Sequence, residues 1–130
     1  MPMTANILRA LAIALVGLIV ILSLVPPSLR PVTGAPHDFE HVAIFLPCGL
    51  CLGLGYRSGH LLQGGALVIF AAVVEVLQRL VPGRHARLGD FLIDAAAACA
   101  GVCLAWTVLK MPRRAPSGRR ALPLDTGNQA

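Results

Sequence analysis

His41, Glu75, Asp90 and Asp94 are the side chains of this sequence with the most chemistry to offer, and each lies in or at the edge of a long apolar run. Ionisable groups at such depths are costly, so they point to function by default. Asp38, Glu40, Gln78 and Arg84 stand close to them in the chain. Carboxylates beside an imidazole can serve as general acid and base, or can bind a divalent cation. The same groups can instead form a structural salt-bridge network that orients the loops around Arg84 and Arg87. No nucleophile elbow, phosphate loop or paired metal motif accompanies them. No catalytic residue or metal set is therefore assigned, no cofactor is expected, and the chain is read as a binder before an enzyme.

The stretch Glu75 to Asp94 (EVLQRLVPGRHARLGDFLID) holds most of this polar material and joins two apolar segments. Those segments must do the positioning. With 130 residues, 56% hydrophobic, 13% charged and a mean hydropathy of +0.75, the chain has too little polar surface for a soluble globule of one domain. The net charge of +5 is carried between and after apolar runs rather than along a groove interleaved with aromatics. That placement argues against nucleic acid and for a membrane protein with basic cytoplasmic edges.

Four runs are long enough to cross a bilayer. Residues 6–25 are nearly continuously apolar, and twenty residues at about 1.5 Å each cover a hydrocarbon core of about 30 Å. A cleaved signal peptide would need a small-residue site behind the run. Pro26-Pro27 follows instead, and the small cluster Thr33-Gly34-Ala35 is followed by Pro36. The second run is 39–56, where Pro47 predicts a kink and Gly49 and Gly53 offer a face for close packing. The third is 61–81 and the fourth 90–109. The expectation is an all-α integral membrane domain over residues 1–110, with four transmembrane helices. A basic cytoplasmic tail over 111–130, Pro- and Gly-rich, has little to bury and reads as disordered.

Four spans place both termini on one side. Seven Lys and Arg residues fall on the termini and second turn, against four on the other face. Basic residues are retained in the cytoplasm, so both termini are expected there. Asp38, Glu40, Glu75, Asp90 and Asp94 then share one outward layer, with Glu75 about 9 Å below the end of a span that closes at Val81. Glu75 and Gln78 share a helix face, with Ala71 and Ala72 beneath them. Asp90, Asp94, Ala97 and Gly101 line another face, polar above and small below. Such stripes predict two closely packed helices with their carboxylates turned inward. Asp90 follows Gly89 and is also placed to cap the fourth helix. Arg84 is the expected ionic partner of Glu75, reaching down from the turn above. Cys48, Cys51, Cys99 and Cys103 lie in apolar spans without basic neighbours, so they read as packing residues. His60 and His85, in turns, read as solvated.

Glu75-x-x-Gln78-x-x-x-Pro82-Gly83-Arg84, followed by Asp90-x-x-x-Asp94 and Gly101, resembles the signature of the VanZ-like family of small bacterial membrane proteins. The block Phe39-Glu40-His41-Val42-Ala43-Ile44-Phe45 is similar to that family's other conserved stretch, and the likeness covers roughly residues 20–105. His37 and Asp38 stand where the family usually has an Asp-Lys pair. Asp94 stands where many members have Asn, and Ala97 where glycine is common. The resemblance implies a multi-pass protein of the bacterial cytoplasmic membrane affecting glycopeptide access or surface chemistry. The family's named member is associated with low-level resistance to teicoplanin.

Beyond the bilayer itself, the expected partner is a cell-wall precursor or lipid headgroup, with no nucleic acid and the oligomeric state left open. Two alternatives stand beside it. One is an intramembrane enzyme on a lipid-linked substrate, with Glu75 or Asp94 as base. The other is a small proton-coupled exporter, although alternating access favours a site nearer the midplane.

Overall fold

The computed structural model describes residues 2–26, 29, 34–83 and 87–111. Four α-helices make up the fold: α1 (Pro2–Leu24), α2 (His37–Tyr56), α3 (His60–Gln78) and α4 (Leu88–Lys110), with no strand among the described residues. All four are long and apolar enough to cross a membrane. Between 11% and 33% of the most apolar window of each helix is buried within the protein, so most of the apolar surface faces outward. A soluble bundle would hide that surface. A bilayer welcomes it, because helices satisfy their own backbone hydrogen bonds there. The chain is a multi-pass membrane protein. The expected tail lies, from residue 112 onward, outside the described residues.

The helix limits depart from the hydropathy limits in instructive ways. α2 begins at His37, two residues before the apolar run. Pro36 presents its carbonyl to the Phe39 and Glu40 N–H groups, and Asp38 and Glu40 lie in the first turn, where negative charge complements the helix dipole. Hydropathy locates the lipid boundary, whereas the turn chemistry locates the helix start. α3 closes at Gln78 rather than Val81. After Gln78 the chain tightens into three-residue turns, with the Arg79, Leu80 and Val81 N–H groups donating to the Val76, Leu77 and Gln78 carbonyls. Pro82 has no N–H to continue the ladder, and Gly83 takes a positive φ of 80°. Glu75 therefore lies about 4.5 Å from the end of its helix, half the depth expected from the sequence.

α2 and α4 run parallel and make the broadest contact in the molecule. α1 packs on α2, and α3 packs on α4, while α3 barely touches its chain neighbour α2. The α2–α4 seam is built from small residues. A methyl group on Gly49 would run into the Ala98 carbonyl oxygen, and one on Gly53 would lie 2.5 Å from the Ala105 Cβ. One on Gly101 would strike the Leu46 carbonyl oxygen and lie 2.7 Å from the Leu50 nitrogen. Apolar side chains gain nothing by leaving lipid for one another, so helix association relies on such close packing and on polar contacts. The small stripe of α4 thus meets Gly49 and Gly53 of α2 as its main partner. Around the seam lies the core, with Ile19, Phe45, Cys48, Leu67, Ala71 and Val102 all buried.

Candidate functional site

The parallel α2–α4 register places residues about 53 positions apart side by side. His37 and His41 open α2, and Asp90 and Asp94 open α4 at the same end of the bundle. His41 Nδ1 lies 2.7 Å from Asp94 Oδ1, with side-chain exposures of only 10% and 3%. An ionised carboxylate accepts, so Nδ1 is the donor of this contact and Nε2 points the other way. His41 Nε2 faces His37 Nε2 at 3.2 Å, with the ring centroids 4.6 Å apart and the planes 74° to each other. His37 Nε2 also stands 3.3 Å from Asp90 Oδ2. Asp94, His41, His37 and Asp90 therefore form one continuous polar chain. Its Asp94 end is sealed in the protein, and the His37 ring, 47% exposed, opens it to the outside next to Asp90.

Two hydrogens cannot both sit between facing ring nitrogens 3.2 Å apart. At least one Nε2 must act as an acceptor. The arrangement can pass a proton along its length, or its lone pairs can converge on a cation. Of these four residues, the sequence singles out His41, Asp90 and Asp94 as site candidates, and His37 only as a departure from the family's pattern. The available signal was spacing, since His37 and His41 are four apart and share a helix face.

Glu75 has a different setting. Its Oε1 accepts a hydrogen bond from the backbone N–H of Arg87, the residue that caps the start of α4. That N–H is among the donors a helix leaves unsatisfied at its N-terminus. A carboxylate there also meets the positive end of the helix dipole. Arg84, its expected partner, lies outside the described residues, as does His85. Asp90 does not cap α4. It is the third residue of that helix, and its carboxylate turns to His37. Gln78 is buried at the same end of the bundle, Glu40 is half-buried and Asp38 is exposed. The expected stripe beneath the cap is present, with Ala71 and Ala97 buried and Ala72 half-buried.

Glu75→Gln is expected to keep near-normal abundance, because its amide oxygen can still accept from Arg87. Glu75→Ala leaves that N–H without its acceptor and should lower stability by about 0.5–2 kcal/mol, as loss of a helix cap does. Thermal denaturation in detergent compares the two, and equal losses would refute the capping role.

At the opposite end, Arg9 donates to the Gly55 carbonyl at 2.9 Å and lies 4.8 Å over the Tyr56 ring, tying α1 to α2. His60 starts α3 there with its Nε2 buried rather than solvated. All four cysteines are free, ranging from Cys48 in the core to the exposed Cys103.

A family model described as VanZ/LLP1 matches residues 10–110, which takes in α2, α3 and α4, most of α1 and the whole cluster. No curated protein and no solved structure matches the chain.

Proposed function

As the chain belongs to the VanZ/LLP1 family, we propose that it is a cell-envelope protein of the bacterial cytoplasmic membrane. In this reading the cluster faces outward and binds the polar headgroup of a cell-wall precursor or lipid. Its consequence is altered susceptibility to teicoplanin-type glycopeptides. The observation that carries the reading is the position of the His–Asp chain. It sits at the ends of membrane-spanning helices, where a headgroup would lie, and His37 leaves it open from one side.

The outward orientation rests on the excess of Lys and Arg at the termini and second turn. Reporter fusions at Arg57 and after Lys110 should read cytoplasmic, and fusions near Pro31 or Arg87 should read external. A cytoplasmic reading at Arg87 would overturn the outward site. With topology established, His41→Ala at normal abundance should shift teicoplanin susceptibility by at least one dilution step relative to the native chain. An unchanged susceptibility, with unchanged envelope lipids and cell-wall precursors, would remove the reading.

One observation favours catalysis as a second reading. An imidazole oriented by a buried carboxylate is how enzymes hold a general base. His41, held by Asp94, would fill that role on a lipid-linked substrate, in place of Glu75 or Asp94 itself. Mass spectrometry of membrane lipids with and without the protein separates the two, because an enzyme leaves a chemically altered product and a binder does not.

A further inference from the structure

We propose that His37, His41 and Asp90 hold a divalent transition-metal ion, zinc by preference, with Asp94 orienting His41 as a second carboxylate behind it. His37, His41 and Asp90 each offer one ligand atom, and the three atoms lie within 4.8 Å of one another. Two of their spacings match what zinc imposes. A tetrahedral ion with bonds of about 2.0–2.1 Å sets its ligand atoms roughly 3.3–3.4 Å apart. The two histidine nitrogens are 3.2 Å apart, and His37 Nε2 is 3.3 Å from Asp90 Oδ2.

The surroundings supply the second half of such a site. Histidines that bind metals almost always donate their other ring N–H to a carboxylate or carbonyl, which fixes the tautomer and raises ligand basicity. Asp94 Oδ1, 2.7 Å from His41 Nδ1, does this and so presents the Nε2 lone pair to the ion. Nitrogen with a single oxygen donor favours zinc and its neighbours over calcium or magnesium, which take oxygen. Charge agrees as well. Asp90 and Asp94 are both buried, and buried charges are found paired or bound to metal. A dication balances the two carboxylates while both imidazoles stay neutral, which also relieves the two facing ring nitrogens of sharing one hydrogen.

Three protein ligands leave a fourth position, and the half-exposed His37 ring marks the side on which it opens. Closed four-ligand sites build structure, whereas open ones take water or an oxygen of a ligand. An ion here would accept a phosphate or carboxylate oxygen. That donor could come from a membrane headgroup or a soluble anion. The metal site does not depend on the headgroup reading, since its test reads metal and not susceptibility.

The test uses the full chain purified in detergent with any affinity tag removed, loaded with Zn2+ and assayed by elemental analysis and chelator competition. One zinc per chain is expected, and Co2+ in its place should give the absorption of a tetrahedral site. His37→Ala and Asp90→Asn should lose the ion while helical circular dichroism and monodispersity persist. His37→Ala is the variant least coupled to folding, because its ring is half exposed. Asp94→Asn should still bind but about 10–100-fold more weakly, as loss of an orienting carboxylate does. A chain with all four cysteines replaced by Ala should bind as the native one does. Absence of stoichiometric zinc in the native chain overturns the proposal. So does native affinity in both His37→Ala and Asp90→Asn, or loss of binding with the cysteines. Titration of the loaded chain with inorganic phosphate and with vesicles of anionic lipid then tells a soluble anion from a headgroup at the open position.

Discussion

Gly101→Leu should abolish accumulation of the folded protein. A side chain at this position would be driven into the backbone of α2, against the Leu46 carbonyl oxygen and the Leu50 nitrogen. Backbone atoms of a packed helix cannot turn aside as the end of a long side chain can. Overpacking by single methylenes typically costs about 1–3 kcal/mol, and a leucine here adds four carbons at the tightest crossing. Against a total stability on the order of 5–15 kcal/mol, separation of α2 from α4 is the expected outcome. Gly65→Ala supplies the contrast, because a Cβ there meets nothing within 4 Å and alanine is the better helix former. Membrane abundance and heat-induced aggregation in detergent would report both. Native behaviour of Gly101→Leu would mean that the α2–α4 seam is not as close as described.

His41 and Asp94 should behave as a unit. Asp94→Ala leaves the His41 Nδ1–H buried without its acceptor, and His41→Ala leaves a carboxylate buried without its donor. Stranding a buried polar group costs about 1–3 kcal/mol, and more when the group is charged, as the carboxylate is. The double variant should therefore be more stable than the sum of the two losses implies, by about 0.5–3 kcal/mol. Thermal denaturation of the four proteins closes the cycle. Simple additivity would show that the 2.7 Å contact contributes little. Recovered abundance with lost activity in the double variant would assign the pair a role beyond holding helices together.

The spans were legible because hydropathy and length suffice to find a helix that crosses a membrane. Helix ends were less so. Leu80 and Val81 are apolar, but with Pro82 and Gly83 behind them the helix closes at Gln78, which halves the distance of Glu75 from the helix end. Individual members of the cluster were legible too, since His41, Asp90 and Asp94 are polar where polarity is costly. Their pairing was not. Nothing local to α3 or α4 says that α4 prefers α2, and the loop joining α3 to α4 makes those two look like natural partners. Gly49, Gly53 and Gly101 carried the missing information, because two glycine faces can approach more closely than any other pair. His37 was hidden by the same hydropathy limit that began α2 two residues late. Both His37 and Asp94 stand in the cluster, one at each histidine–aspartate contact.

The parallel pairing of α2 with α4 also orders events during synthesis. The chief partner of α2 is the last helix to be made, and α3 leaves α2 nearly untouched. Ribosomes add roughly 5–20 residues per second, so the 52 residues from Leu50 through Gly101 take roughly 3–10 s to appear. During that interval the glycine groove of α2 faces lipid, and His41 lacks the carboxylate that later holds it. The nascent three-helix chain is thus the stage most exposed to wrong partners, including the glycine groove of another copy. Arrival of α4 fills the groove and delivers both aspartates in a single step, so that assembly of the membrane domain and completion of the polar cluster are the same event.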